Sequence, residues 1–395
     1  MSAVPRQPPP TSTPASTDLE WNEAGSFGEG ETFEFASAVV RGAGGFVAVG
    51  THYDQPLDPS GPLPPHEGRV WVSPDGRSWT DVTPLDTFAH AVMEHVFTTM
   101  DGSIIAIGKI TNPDSLGGEI LEPLAAWLSA DGRSWHRTEI GLPDELVVQE
   151  VEHGARGYLA VLRPQFPASN RSPQLWFSAD GWTWEREYVV VGDERANVDV
   201  AAGDEGFVAV GNRTRDDVAE GFAVASSDGR TWIESPSEST DGFFVAPMGP
   251  DWIAMGQGSH LEDRSAVDET AIWFSANGLD WSPLDEFLLK GIELDDVSVC
   301  FEFVANLISA DGWLLAGTSL SYPCSEGGVV GYGAQRISVD GTAWKPLPFA
   351  RFSYTNPPRI REDGSIVLDG AGADGGLVLV GQSNGRATFW FGESR

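Results

Sequence analysis

Acidic residues placed ahead of a series of apolar runs are the side chains best suited to do chemistry. Each run reads like GFVAVG and ends in or near Gly. Carboxylates gathered around one water-filled axis bind Ca²⁺ through their oxygens, or raise one another's pKa for acid–base work. Because their distances from the runs differ, they need not share one level, and a merely solvated channel is the alternative. The acids are Glu34, Glu94, Glu150, Asp199 and Glu302.

A second set of polar side chains follows the apolar runs, where each run gives way to a loop, and continues in one long segment near the C-terminus. Arg residues converging on one face clamp a carboxylate or sulfate through paired hydrogen bonds. The alternative is that they are surface charges paired with local acids. The predicted ligand-face residues are Tyr53, Asp54, Lys109, Arg163, Arg213, His260, Tyr322, Arg351 and Tyr354.

Transition-metal and nucleotide chemistry are not indicated. The seven His residues show neither HExxH nor facial-triad spacing. No P-loop, dinucleotide fingerprint or nucleophile elbow stands in the required strand-to-helix context. No metal and no cofactor are therefore predicted, with Ca²⁺ left open at the acidic residues.

The charge balance excludes one class of partner. There are 58 acidic residues against 24 basic ones, a formal net charge of −34. Such a field repels phosphate backbones and anionic lipid, so nucleic acid is not expected to bind. Cations, basic proteins and neutral glycans stay open, and a solvated acidic surface is the plainer interpretation.

The chain has no segment that would span a membrane, because no run approaches the ~18 apolar residues required. Residues 1–17 are rich in Pro, Ser and Thr and lack the apolar core of a signal peptide. They are predicted to form a flexible segment. A removed leader or lipid anchor and an intact cytoplasmic chain are both compatible with this segment.

One motif recurs six times and defines the elements that must position these residues. The copies are SPDGRSW, SADGRSW, SADGWTW, SSDGRTW, SANGLDW and SVDGTAW. Their closing Trp residues are Trp79, Trp135, Trp184, Trp232, Trp281 and Trp344. The spacing between successive closing Trp residues is near the ~40 to 50 residues of a four-stranded propeller blade.

The surroundings of each copy predict the order of strands in a blade. Asp-Gly or Asn-Gly between two short strands is a hairpin signal, because both residues tolerate positive φ. Upstream lie an inner strand, the apolar run, a variable loop and a third strand such as VWV or LWF. The outer strand begins at the Trp.

A seventh unit near the C-terminus has only three strands, SIVLDGA, GLVLVG and ATFWFG. The DLEW segment at Asp18 to Trp21 resembles an outer strand that has no blade of its own. We therefore predict an all-β chain. Residues 18–395 form a single seven-bladed β-propeller of four-stranded antiparallel blades, closed by the N-terminal strand joining the last blade.

The six SxDGxxW elements resemble the Asp-box, or BNR, repeats of sialidases, sortilin-type receptors and related propellers. The usual Asp-box has an additional residue between its Asp and its Gly, which is missing here. The resemblance implies hairpins on the face opposite the ligand site, with a structural role rather than a calcium-binding or catalytic one. The residues concerned are Asp75, Asp131, Asp180, Asp228, Asn277 and Asp340.

Cys300 and Cys324 are the only cysteines. The predicted blade order places Cys300 near the start of the sixth inner strand and Cys324 in that blade's loop after the second strand. Both then lie near one face, so a disulfide is predicted, with two free thiols as the alternative. A disulfide would favour an oxidising compartment.

Two functions are compared. A non-enzymatic, monomeric, extracytoplasmic propeller would bind a protein or glycan partner through dissimilar loops such as Pro56 to Glu67, Asn112 to Glu122 and Gly258 to Glu269. A glycoside hydrolase or lyase would use carboxylates at the channel mouth. A sialidase needs an arginine triad and a Tyr–Glu pair whose order is not matched here, and its propeller has six blades. The binding role is therefore preferred, and an assembly factor is a third possibility.

Overall fold

The computed structural model describes residues 17–28, 32–55, 64–112, 119–164, 172–190, 196–215, 218–235, 242–258, 269–284, 301–322, 330–355, 359–360 and 365–394. Regular structure in these ranges is β-strand, apart from one 3₁₀ turn at Leu85–Thr87. No helix in the described part of the chain has the length and apolarity to cross a membrane. The segment predicted to be flexible lies outside these ranges except for Thr17.

Seven antiparallel sheets follow one another along the chain, which confirms the predicted seven-bladed β-propeller. The chain begins with β1 (Leu19–Phe27). Blade 1 consists of β2 (Phe33–Gly42), β3 (Gly45–Tyr53), β4 (His66–Ser73) and β5 (Thr80–Asp81). Blade 2 consists of β6 (Ala91–Thr98), β7 (Ile104–Thr111), β8 (Ile120–Ser129) and β9 (His136–Thr138). Blade 3 consists of β10 (Leu146–Gly154), β11 (Gly157–Pro164), β12 (Gln174–Ser178) and β13 (Trp184–Val189).

The remaining blades repeat this order. Blade 4 consists of β14 (Asn197–Gly203), β15 (Gly206–Arg215), β16 (Val218–Ser226) and β17 (Ile233–Glu234). Blade 5 consists of β18 (Gly242–Met248), β19 (Asp251–Gly258), β20 (Glu269–Ser275) and β21 (Ser282–Leu284). Blade 6 consists of β22 (Phe301–Ala310), β23 (Trp313–Tyr322), β24 (Val330–Ser338), β25 (Lys345–Thr355) and a short fifth strand, β26 (Arg359–Ile360). Blade 7 consists of β27 (Ser365–Ala373), β28 (Gly376–Ser383), β29 (Arg386–Ser394) and β1.

The N-terminal strand completes the last blade. β1 runs antiparallel to β29, with Leu19 opposite Ser394 and Phe27 opposite Ala387. The chain continues from β1 into the inner strand of blade 1, so this pairing joins the two ends of the ring. Pairing also covers a sheet edge that would otherwise be open to other chains. The predicted closure is confirmed.

The shared strand order defines two faces of the ring. Because the inner strands all run in one direction, the loops between second and third strands lie on the same side as the connections between blades. We call this side the loop face. The turns between first and second strands and the SxDG hairpins lie on the opposite side, the hairpin face.

The second strand of each blade is apolar because it is covered on both sides. In β3, Val47, Ala48 and Val49 are 4%, 0% and 0% exposed. Val47 and Val49 pack in the cluster shared with blade 2, whereas Ala48 packs in the cluster shared with blade 7. A strand with two buried faces has continuous apolar sequence rather than alternation, which explains the GFVAVG-like runs.

Each SxDG hairpin is held by its own side chains. In blade 4, Asp228 Oδ1 accepts the N–H of Thr231 at 2.7 Å and that of Arg230 at 2.9 Å. These hydrogen bonds, the Thr231 bond above all, favour the carboxylate and lower the pKa of Asp228 to about 2. The same acceptor position is occupied by Asp75, Asp131, Asp180, Asn277 and Asp340.

The hairpins also fasten each blade to the one before it. Gly229 adopts φ +74°, and a Cβ at this position would lie 2.1 Å from the ring of Phe177 in blade 3. The next residue, Arg230, lies over that ring at 5.0 Å and forms an ion pair with Glu187 at 2.8 Å. The hairpin glycines that approach the preceding blade in this way are Gly76, Gly132, Gly181, Gly278 and Gly341.

Candidate functional site

A cavity of about 320 Å³ lies in the central channel and is lined by the inner strands of all seven blades. Three of the predicted channel acids, Glu94, Glu150 and Asp199, line it. The sequence analysis missed Glu152 and Asp369, which line it as well. We call Glu150, Glu152, Asp199 and Asp369 the carboxylate cluster.

Strand register places three members of the cluster at one level. Glu150, Asp199 and Asp369 lie opposite Val161, Val210 and Val380, each of which directly precedes the residue that closes its apolar run. The inner strands β10 and β27 contain a β-bulge just before this level, whereas the register of β14 is regular. Bulges re-aim side chains, and here carboxylates of three different blades meet at the same depth.

The carboxylates at this level bridge neighbouring blades. Asp369 Oδ2 accepts the N–H of Val39 at 2.8 Å, Glu150 Oε2 that of Val200 at 3.2 Å, and Asp199 Oδ2 that of Val245 at 2.7 Å. The three valines lie opposite Ala48, Ala209 and Ala254, which occupy one register position of the second strand. An inner strand is the edge of its sheet, so these N–H groups have no ladder partner there.

Burial and mutual repulsion hold protons on the cluster. Burial raises the pKa of Asp369 to about 7. It also raises the pKa of Glu150 well above its usual range, with the negative charge of Asp199 as the next cause. Burial raises the pKa of Asp199 in the same sense, and Glu152 adds repulsion there. The channel admits water to part of each side chain, but protein surrounds the group at mid-depth of the ring.

Glu152 occupies the centre of these electrostatic interactions. Its carboxylate makes no hydrogen bond or ion pair within the described part of the chain. Burial, followed by repulsion from Glu150 and Asp369, raises its pKa well above the usual range. Glu152 therefore interacts through charge, whereas the other three also bind backbone N–H groups.

Glu94 has a cation of its own. It is the extra residue of a bulge in β6, and its Oε1 lies 2.6 Å from Lys109 Nζ. Lys109, predicted as a ligand-face residue, is thus paired with an acid that lines the channel. His95 lines the same cavity, and burial lowers its pKa.

Glu34, a predicted channel acid, is directed elsewhere although it lies on the inner strand β2. Its side chain is 4% exposed, and Oε1 lies 3.4 Å from Arg69 Nε. His52 Nδ1 lies 3.7 Å from Oε2, and its Nε2 lies 3.4 Å from Asp54. Sequence reasoning missed Arg69, whose one signal is a basic residue directly before the apolar VWV of the third strand. Glu34 is therefore one of the acids that neutralise the partly buried Arg69.

Tyr53 packs among aromatic rings rather than facing solvent. It is 4% exposed, with its ring 6.1 Å from that of Phe35 and 5.4 Å from that of His66. Burial, together with the negative charge of Glu94, raises the pKa of Tyr53 to about 12. This environment suppresses the phenolate that a nucleophilic Tyr requires.

The two predicted ligand-face arginines that the structure describes differ sharply. Arg213 has a 3% exposed side chain, and its guanidinium pairs with Glu220 at 2.7 Å and also with Glu234. Arg163 has no hydrogen-bond or ion-pair partner in the described ranges, and its Nε is buried. Burial lowers the pKa of Arg163. Arg213 is thus neutralised internally, and Arg163 is not.

Several predicted residues have side chains outside the described part of the chain. His260, Cys300 and Cys324 lie outside the described residues. For Glu302, Tyr322, Arg351 and Tyr354 only the strand positions, on β22, β23 and β25, are described. Among the described residues, no three His, Cys, Asp or Glu side chains are grouped so as to hold a metal ion.

The chain resembles known proteins in its fold. No protein-family model matches the sequence, and no curated protein matches it. The chain is similar to the acylaminoacyl peptidase of Pyrococcus horikoshii, with a TM-score of 0.51 and 11% identity over 91% of this chain and 51% of that chain. It therefore spans about half the length of the peptidase.

Glycan-related structures also resemble the chain. The phage phi92 endosialidase is similar with a TM-score of 0.43 and 9% identity, over 95% of this chain and 69% of that chain. A thermostable family-43 glycoside hydrolase is similar with a TM-score of 0.33 and 12% identity, over 64% of this chain and 90% of that chain. At these identities the likeness concerns the fold alone.

Proposed function

We propose that this protein is a non-enzymatic binding module that presents its loop face to a protein or glycan partner. The observation that carries the proposal is that the reactive side chains described near this face interact with the protein itself. Arg213 and Lys109 are paired with internal acids, and Tyr53 is buried with its phenol kept protonated. What then varies from blade to blade is the loops, and loop variation on a rigid scaffold is typical of recognition surfaces.

The proposal includes an extracytoplasmic location and a monomer. A net charge of −34 keeps such a chain soluble and separate from nucleic acid and anionic lipid. Arg163, a cation without a counter-charge in the described ranges, is the loop-face residue best placed to contact an acidic group of the partner.

A glycoside hydrolase is the second candidate, and the carboxylate cluster is what favours it. A carboxylic acid that stays protonated near neutral pH is what a general acid requires. Against this, Glu150, Asp199 and Asp369 each bind a backbone N–H of the next blade, which ties the carboxylates to the ring. The cavity of about 320 Å³ is also at the lower limit for a small-molecule site.

The test is binding of the purified full chain to a broad panel of neutral and acidic glycans, with and without Ca²⁺, while released sugar is measured. A loop-face variant replaces residues 113–118 by Gly and Ser at the same length. Met100→Ser changes an exposed residue on the hairpin face and serves as the control. We expect the wild type to bind without releasing sugar. The loop variant should bind more weakly, and Met100→Ser should bind as the wild type does. Release of sugar that Glu152→Gln abolishes would replace the proposal by the hydrolase. Absence of both activities would leave a protein as the partner.

A further inference from the structure

The three hydrogen bonds from the carboxylate cluster to the backbone form one repeated device. Each joins a carboxylate on one inner strand to an N–H on the inner strand of the next blade, at the same register. They span the junctions of blades 3 and 4, 4 and 5, and 7 and 1. A propeller is held together at its junctions, because each blade is a separate sheet.

We propose that the carboxylate cluster is a proton-sensitive clasp, in which protons taken up in the channel tighten the ring and their loss loosens the three bridged junctions. The clasp is independent of the proposed binding function. It concerns the stability and local opening of the ring, whichever partner binds.

Among the described residues that line the channel, none supplies a free counter-charge to the cluster. The channel-lining residues of β2, β18 and the described part of β22 include no titratable side chain. On β6, Glu94 and His95 face the cavity, and the neighbouring Lys109 is already paired with Glu94. Ionisation of the cluster therefore places several negative charges around a narrow water-filled space, where repulsion is screened far less than at the surface.

The direction of the effect follows from two opposing causes. The N–H groups of Val39, Val200 and Val245 favour the ionised form of their acceptors, whereas burial and repulsion favour the protonated form. Burial is the larger cause at all four residues. The folded ring thus binds these protons more tightly than the unfolded chain does. Its stability falls as pH rises from about 4 through about 7, the raised pKa of Asp369.

The decisive variant is Glu152→Gln. Glu152 bridges no junction, so this change removes charge from the cluster and leaves the three bonds intact. Glu145→Gln is the matched control, because Glu145 is an exposed residue of the same blade. Chemical denaturation of the full chain is measured between pH 4.5 and pH 8 for the wild type and both variants.

We expect the unfolding constant of the wild type to rise by up to tenfold per pH unit for each proton that the folded ring holds and the unfolded chain releases. The slope should be smaller in Glu152→Gln and unchanged in Glu145→Gln. Equal slopes in all three proteins would overturn the proposal, since the pH dependence would then arise elsewhere. If Glu152→Gln does not fold, Asp369→Asn also removes one charge from the cluster and keeps an amide oxygen as acceptor for the N–H of Val39, so its slope should again be smaller than that of the wild type.

A second measurement reports on the bridged junctions directly. Amide hydrogen exchange at Val39, Val200 and Val245, corrected for the intrinsic effect of pH, should show protection that decreases as pH rises. Val47, in the buried second strand β3, is the internal reference. Protection that stays constant at the three valines while global stability changes would contradict the loosening of these junctions.

Discussion

The indole of Trp79 in blade 1 stacks on the ring of Phe389 in blade 7, with centroids 4.3 Å apart and planes inclined by 24°. Trp79 closes the first SxDG hairpin, and Phe389 lies on β29, beside the N-terminal strand. Together with the contact of Trp71 and Phe389 at 5.5 Å, this stack joins the first and last blades where the ring is closed. Aromatic pairs of this geometry contribute beyond the area that they bury.

Replacing Trp79 by Ala should therefore destabilise the ring strongly. Trp79 is 8% exposed, and truncation of a buried Trp costs about 3–5 kcal/mol. Trp232→Ala is the matched control, because Trp232 holds the same hairpin position but is only half-buried. Urea denaturation should show the larger loss for Trp79→Ala. Equal losses in the free energy of unfolding would mean that the closing junction contributes no more to stability than the other junctions.

Substitution of hairpin glycines should separate backbone strain from steric overlap. Gly229 and Gly375 both adopt positive φ, +74° and +78°. A Cβ at Gly229 would lie 2.1 Å from Phe177, whereas nothing lies within 4 Å of one at Gly375. Gly375→Ala should cost about 1–2 kcal/mol from strain alone. Gly229→Ala should cost about 1–3 kcal/mol more, because the packed Phe177 ring must move. Thermal denaturation of both variants checks this, and similar melting temperatures would contradict the blade contact.

The hairpin carboxylate of Asp228 should contribute stability that acid removes. Its pKa is lowered from 3.8 to about 2 in the folded chain, so the folded state binds fewer protons than the unfolded state between these values. The contribution is complete above about pH 4 and is lost as pH falls through about 2. Asp228→Asn should reduce the loss of stability between about pH 4 and about pH 2. It should keep the turn, since Asn277 accepts the equivalent N–H of Leu279 at 2.9 Å. Melting temperatures from pH 2 to pH 5 would show it, and parallel curves would contradict it.

The fold was predictable from the sequence because its signals are local and repeated. The SxDGxxW hairpins and the apolar runs recur in most blades, and the DLEW segment has one place where it can pair. Which of the predicted acids share one level was not predictable, because bulges in β2 and β6 shift the register near Glu34 and Glu94. Asp369 could have been found, since it precedes Gly381 by the same number of residues as Asp199 precedes Gly211.

Side-chain direction set the second limit. The bulge in β2 separates Glu34 from the residues that line the cavity, so its place on an inner strand did not predict where its carboxylate lies. Pairing of Arg213 with local acids was one of the two alternatives, but its partners were not predictable, because Glu220 and Glu234 lie on two other strands. Pairing of this kind depends on strand register, which the sequence does not state.

The thiol state of Cys300 and Cys324 tests the predicted compartment. Both positions lie outside the described residues, so the disulfide stays a prediction. Protein purified without reductant and denatured should react with no thiol reagent, and should release two thiols after reduction. Two reactive thiols before reduction would contradict the disulfide and remove this support for an oxidising environment.

Arg213 and Arg163 should respond in opposite ways to truncation. Arg213→Ala leaves Glu220 and Glu234 without their shared cation, one of them half-exposed, so we expect a loss of about 2–3 kcal/mol. Arg163→Ala removes a cation that has no partner in the described ranges, so stability should change little. If Arg163 contacts an acidic group of the partner, its loss should weaken binding on the glycan panel while Arg163→Lys keeps part of it. Urea denaturation and binding measured on the same preparations separate these roles. A stability loss at Arg163 as large as that at Arg213 would show that both are structural cations.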